Sequence, residues 1–306
     1  MARPRRPPGT ADVSGRNRTL VTGAGGFVGR RLVASLRANG GDVRAWTRSD
    51  GDLRDSDAVR SALAEMKPDV IYHLASVLPS AGEESWSLIA DEQRMLANLA
   101  YAMPAHCRLV YTGSMAEYGR SGTFSERHRC APDTAYGCAK FSGTNLGLAL
   151  RASHGLDIRV ARLFAVYGPG ETPARLLPWL IGKLRTGEAV PLSDGAQRRD
   201  FVHVDDVCAA LAALADAAVE NDSAISNIGT GIGVTVRQVC EAVADILGAD
   251  PALLQFGAMA RRAVDQDCLI ADVGRMQTFT TPPRQRWLDR DLSEEIVRAM
   301  IANDGT

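Results

Sequence analysis

Apolar residues in the first half of the chain fall into short runs, separated by segments with helical spacing. Leu20 and Val21 sit in a β-prone run, Arg18–Thr22, which ends in Thr22-Gly23-Ala24-Gly25-Gly26-Phe27-Val28-Gly29. Leu32, Val33 and Leu36 then recur as one face of a helix. The alternation continues with a strand at Asp42–Trp46, an Asp52-Leu53-Arg54-Asp55 turn, a helix over Ala58–Met66 and a buried strand at Val70–Leu74. A helix over about Ser85–Met103 follows, then a strand at Arg108–Tyr111, a long loop, a helix starting near Ala135 and a strand at Val160–Phe164. Past Gly168 the rhythm is broken by Pro169, Pro173, Pro178 and Pro191. Val204–Ala218 and Val236–Leu247 read as helices, with a short strand at Ser226–Ile228 between them.

Strands alternating with helices of this length predict βαβ units. The expected class is α/β, a Rossmann-type doubly wound parallel sheet with a smaller C-terminal substrate-binding lobe. The sheet domain is expected to take residues 17–165 and 201–228, and the lobe residues 166–200 and 229–306. Residues 1–16, rich in Arg and Pro, are expected to be a disordered tail.

Composition narrows the partners. The chain has 306 residues, 45% of them hydrophobic, and a net charge of −1, which gives no support for a nucleic-acid or anionic-membrane surface. No run approaches the roughly 18 apolar residues of a membrane span. Met1–Gly9 leads into no apolar stretch, so a secretory signal is not expected and a cytoplasmic location is. Cysteines 107, 130, 138, 208, 240 and 268 show no CxxC or Cys/His clustering, which predicts reduced thiols and no metal site. Lysine occurs only at 67, 140 and 183, so each lysine's position carries information.

Gly23, Gly26 and Gly29 follow a strand and open a helix. A pyrophosphate needs such a tight turn, with close backbone approach and free N–H groups at a positive helix end; Phe27 and Val28 would supply two of them. The end of the next strand commonly reads the ribose, with a carboxylate for NAD or an arginine for the 2′-phosphate of NADP. Here it runs Ala45-Trp46-Thr47-Arg48-Ser49 with no carboxylate, so Arg48 favours NADP(H) and NAD(H) is the alternative. The plain reading of Arg48 is a solvated strand-end residue. Tyr136 and Lys140 stand at i and i+4, neighbours on one helix face. A nearby ammonium favours tyrosinate, and such a tyrosine exchanges a proton with a developing alkoxide. Ser114, beyond the Arg108–Tyr111 strand, is placed to polarise the same oxygen.

These pieces resemble the extended short-chain dehydrogenase/reductases of the nucleotide-sugar epimerase/dehydratase family, from about Thr19 to Leu288. The matching segments include Thr22–Gly29, Asp52-Leu53, His73-Leu74-Ala75, Ser114…Tyr118-Gly119, Tyr136…Lys140, Tyr167-Gly168-Pro169 and Arg199–Asp206. The resemblance implies that Asp52 and Leu53 hold the adenine and that Ala75 borders the nicotinamide ribose. It implies Ser114, Tyr136 and Lys140 as the catalytic set, with Lys140 also on the ribose hydroxyls. Arg199 and Arg262 would clamp the substrate diphosphate; the plain reading of Arg199 is a structural ion pair. His73 and His203 read as structural, and Asp205 and Asp206 as helix caps. Where sugar 4,6-dehydratases carry Thr-Asp-Glu, this chain has Ser114-Met115-Ala116, which lacks the acid and base for eliminating water. Ala165 and Glu92 stand at or near positions where relatives carry asparagine. The expected activity is a 4-ketoreductase of an NDP-4-keto-deoxysugar, with a 4-epimerase holding NAD as the alternative. A non-catalytic cofactor-binding regulator and a reductase of non-sugar ketones are the weaker options. A homodimer through the helices flanking the tyrosine is implied by the resemblance.

Overall fold

Six strands make the central sheet of the computed structural model, which describes residues 17–77, 86–219, 224–261 and 265–303. They are β1 (Arg18–Thr22), β2 (Asp42–Trp46), β3 (Val70–His73), β4 (Arg108–Ser114), β5 (Asp157–Leu163) and β6 (Ile225–Ile228). All pair in parallel, in the order β2-β1-β3-β4-β5-β6. Eight α-helices accompany them among the described residues: α1 (Phe27–Ala38), α2 (Ser56–Met66), α3 (Ser87–Ala102), α4 (Ala135–His154), α5 (Leu176–Arg185), α6 (Val204–Asp216), α7 (Val236–Leu247) and α8 (Arg290–Asn303).

The strands are apolar on both faces because both faces are covered. Leu20, Ile71, Leu109 and Ile158 point to one side, where Val59 and Leu63 of α2, Leu96 and Leu99 of α3 and Leu150 of α4 pack on them. Their alternates Val21, Tyr72 and Val110 point to the other, against Leu32 of α1 and Val207, Leu211 and Leu214 of α6. The sheet is therefore doubly wound. The order reverses between β1 and β3, which opens a crevice beyond their carboxyl ends, the usual ligand position in such sheets.

Two strands are longer than their apolar cores. β4 runs on to Ser114 because β5 pairs with it to the Ser114–Leu163 register. β5 starts at Asp157, whose carboxylate accepts from Arg108, Arg151 and Arg159. That cluster offsets charges that would otherwise disfavour a strand there.

The second lobe is built of short ladders. Arg198–Arg199 lies between Val234–Thr235 and Cys268–Ala271, and Gly122–Phe124 adds the outer strand of that sheet. The expected long loop after β4 thus lends a strand to the lobe. Leu180 and Ile181 of α5, Val239 and Val243 of α7 and Val297 of α8 share its core. No described helix is long and apolar enough to cross a membrane. All six cysteines are free thiols, and no described cluster of His, Cys, Asp and Glu could hold a metal. The expected tail (1–16) and Arg262 lie outside the described residues.

Candidate active site

The glycine loop closes on itself before α1 begins. Gly23 has φ +68, and a Cβ there would stand 2.6 Å from the Ala75 nitrogen. A Cβ on Gly29 would strike the Gly23 carbonyl. Gly26 is the N-cap of α1, with no side chain capping the helix and no acid in its first turn. The first-turn N–H groups, Phe27 and Val28 among them, are left for an anion. Thr22 Oγ1 lies 2.8 Å from His73 Nδ1 and accepts from the Ala75 N–H at 3.4 Å, tying β1 to β3 beneath the crevice. A dinucleotide fits this cradle: the backbone comes close, the donors are free, and the local field is positive.

A cleft of about 400 Å³ lies over the loop, lined by Gly25, Gly26, Phe27, Arg30, Glu171 and Thr172 among others. Glu171 Oε2 is buried there without a hydrogen-bond partner, and burial pushes the carboxyl up to about 7, against the pull of Arg175. A carboxyl raised above its unfolded value near 4.5 binds more protons in the native state between those two values. Stability therefore falls as pH rises from about 4.5 to about 7 and is level above that. Glu171→Gln is expected to remove this slope, gaining about 2–3 kcal/mol at pH 8 and nothing near pH 4, read from urea midpoints across pH. Parallel stability curves for the two proteins would contradict it.

At the end of β2 the expectation of no carboxylate is corrected. A turn brings Asp50 back, and its carboxylate accepts from the Thr47 N–H at 2.8 Å and the Thr47 hydroxyl at 2.7 Å. Arg48 is exposed on the same turn. Asp52 accepts a bidentate bond from Arg54, which holds its carboxyl down to about 2. Leu53 is buried beside Trp46, and its carbonyl accepts from Asn98 at 2.9 Å.

The residues expected to transfer the proton come from β4 and α4. Ser114 ends β4, and its Oγ accepts from the Ala116 N–H at 3.2 Å, leaving the hydroxyl proton free to donate. A capping box forms in which Glu117 Oε1 accepts the Ser114 N–H at 2.9 Å. Glu117 Oε2 in turn accepts from Arg162 Nε at 2.8 Å, and both residues are buried. The turn after Ser114 packs on the first turn of α4, where a Cβ on Gly137 would stand 2.6 Å from the Ala116 oxygen. Tyr136, half-buried, sits in that first turn, and Lys140 lies one turn on, buried.

Lys140 Nζ donates to Glu92 Oε1 at 2.7 Å and lies 5.1 Å from the Tyr111 ring centre. Tyr111 donates to the same oxygen at 2.8 Å, and Ser76 donates to Glu92 Oε2 at 2.9 Å. Burial opposes both charges, but each partner overrides it: Lys140 is held above the usual lysine range and Glu92 below the usual carboxylate range. His73 is pushed down to about 4 by burial and is neutral, consistent with a structural role.

Other expected residues take different places. Arg199 pairs with Asp265 and donates to the Arg198 carbonyl at 2.9 Å, at the lobe's inner sheet. Contrary to the expectation from sequence, Asp205 and Asp206 do not cap α6. His203 does, its Nδ1 accepting from the Asp205 N–H at 3.3 Å. The two aspartates instead pair with Arg31 and Arg286. Sequence reasoning missed Glu117 and Arg162 as the supports of Ser114. Ser114-x-x-Glu117 is a capping-box pattern, and Arg162, an arginine inside a buried strand, is a further signal.

With this geometry in view, the chain can be set beside known proteins. The sequence profile of the NAD dependent epimerase/dehydratase family matches residues 19–229. The dTDP-4-dehydrorhamnose reductase of Streptomyces griseus is 29% identical, covering 89% of this chain and 91% of its own. A dTDP-glucose 4,6-dehydratase of Actinoplanes sp. is 26% identical, over 83% of this chain and 91% of its own. Among solved structures, a double mutant of DesIV, a dTDP-glucose 4,6-dehydratase of Streptomyces venezuelae with NAD bound, superposes with a TM-score of 0.83. It is 26% identical and covers 94% of this chain and 98% of its own. The chain belongs to the NAD-dependent epimerase/dehydratase family of nucleotide-sugar enzymes.

Proposed function

We propose that this protein is a 4-ketoreductase of an NDP-4-keto-deoxysugar. The observation that carries the reading is Ser114 and Tyr136 on adjoining turns with Lys140 behind them, while Met115 and Ala116 offer no acid or base beside them. The reduced nicotinamide, when bound, supplies the hydride. Tyr136 gives its phenolic proton to the oxygen that forms at C4, and the Ser114 hydroxyl donates to the same oxygen. Lys140 spends one N–H on Glu92 and keeps two for ribose hydroxyls. Gly23, Gly26, Phe27, Val28 and Gly29 hold the pyrophosphate, with Asp52, Leu53 and Ala75 along the rest of the cofactor. Arg199, with Arg262, takes the substrate diphosphate with the donors not engaged by Asp265. NADP(H) is the proposed cofactor, its 2′-phosphate meeting the exposed Arg48. The protein is proposed to act in the cytoplasm as a homodimer through α3 and α4, near the exposed Trp86 and Tyr101.

The second reading is a 4-epimerase with retained NAD. Asp50 favours it, because a carboxylate at the end of β2 suits a free ribose 2′-OH and repels a phosphate. Incubation with NADPH or NAD and a panel of NDP-4-keto-sugars and NDP-hexoses separates the two. One NADPH oxidised per ketone reduced is expected. Interconversion of C4 epimers without net cofactor change would overturn the reductase.

A further inference from the structure

We propose that Glu171 is a cofactor-binding residue acting as a neutral acid, so that a dinucleotide seated on the glycine loop is taken up together with one proton. This rests on the reading of that loop as the pyrophosphate cradle and adds to it a residue from beyond β5.

The carboxyl is held over the loop by its own turn. The Glu171 N–H donates to the Gly168 carbonyl at 3.2 Å, and Gly170 turns the chain at φ +87. Arg30, on α1, fixes that turn from the other side by donating to the Gly170 carbonyl at 3.2 Å. Glu171 therefore shares the cleft of about 400 Å³ with Gly25, Gly26 and Phe27, at the helix end where first-turn N–H groups are left for an anion. A cleft of that volume is about 9 Å across, so charges on its walls lie within about one Debye length of each other. Glu171 Oε2 is buried with no hydrogen-bond partner among the described residues, a costly place for an ionised oxygen. Burial pushes the carboxyl up to about 7, with Arg175 and the Gly168 backbone pulling the other way. A pyrophosphate in the same cleft brings two negative charges, which raise it further. Protonated, the carboxyl has an O–H to donate where an ionised one would repel the phosphates.

The other groups around Glu171 leave this direction in place. Arg175, the N-cap residue of α5, is exposed, so water weakens its pull. Arg30 is exposed as well, and Arg31, next to it on α1, is paired with Asp205. On the α6 side, a Cβ on Gly168 would stand 3.0 Å from His203 Nε2, and burial holds that histidine below its usual range. Asp206 is paired with Arg286, and Tyr167, which leads into the turn, is kept protonated by burial.

The test follows binding of NADPH by its fluorescence from pH 6 to pH 9, with NADH run beside it and no sugar present. Protons exchanged by the cofactor's own groups are common to both proteins and cancel in the comparison with Glu171→Gln. The dissociation constant of the unaltered protein, divided by that of Glu171→Gln, is expected to grow about tenfold between pH 6 and pH 8. Calorimetry at pH 8, in buffers of different ionisation enthalpy, should show close to one more proton taken up by the unaltered protein. If Glu171→Gln does not fold, Glu171→Met, also uncharged, replaces it. A ratio that stays constant across pH, or equal proton uptake, would overturn the proposal and leave the cradle standing. Failure of both cofactors to bind at any pH would overturn the cradle reading and the proposal together.

Discussion

Tyr136→Phe is expected to lower turnover about 10²–10⁴-fold while leaving the unfolding midpoint and cofactor affinity near those of the unaltered protein. The ring is half-buried in the first turn of α4, and phenylalanine keeps its packing. Among the described residues no group is hydrogen-bonded to the Tyr136 hydroxyl, so its removal orphans nothing. The lost step is the proton given to the C4 oxygen, and Ser114 is no substitute for it: its hydroxyl polarises that oxygen, and among the described residues no acid is hydrogen-bonded to it to restore a proton. Stopped-flow oxidation of NADPH with a reactive NDP-4-keto-sugar measures the effect, and cofactor fluorescence checks binding. Turnover within a few-fold of the unaltered protein would mean that another group donates the proton.

Glu117→Gln should be the most damaging single change to stability among the site residues. Glu117 and Arg162 are essentially sealed from solvent, at 0% and 2% exposure, and the carboxylate is the anionic partner of the guanidinium. Neutralising it leaves a buried cation, which costs about 3–5 kcal/mol. It also sets an amide NH₂ against either the Ser114 N–H or the Arg162 donors, so the turn that presents the serine loosens with the fold. Urea unfolding measures the first effect, and turnover at low denaturant the second. Adding Arg162→Met to Glu117→Gln should recover most of the stability, because no unpaired charge then remains. A single variant as stable as the unaltered protein would show that water reaches the pair.

The sheet was readable in the chain because its strands are buried on both faces and so appear as plain apolar runs, as Val70–His73 does. The glycine loop and the Tyr136–Lys140 spacing were readable because each depends on residues close in sequence. What stayed hidden depends on distance. The partners of Asp205 and Asp206 lie 174 and 80 residues away, so two acids before an apolar helix looked like caps. Asp50 returns to β2 through a turn that a strand-end rule passes over. Glu92 was noticed as a departure, yet its pairing with Lys140, 48 residues on, shows only in three dimensions. Its place among Leu88, Met95, Leu96 and Leu99, a charge on an apolar helix face, is the mark that could have exposed it. In the lobe, ladders of two and three residues, such as Arg198–Arg199 with Val234–Thr235, are too short to carry a period.

The strand Gly122–Phe124 joins the two halves of the molecule mechanically. It is bonded into the lobe sheet beside Cys268–Ala271, yet it begins only a few residues after the capped turn that carries Ser114. Residues 118–121 are too short a tether to absorb a displacement, and Tyr118 is itself anchored to Asn227 at 2.7 Å. On the proposed reading, in which the lobe takes the substrate, a displacement of that sheet is expected to reach Ser114 along the chain, like a lever with a short arm. A ligand that fills the lobe badly is then expected to misalign the serine as well as bind weakly.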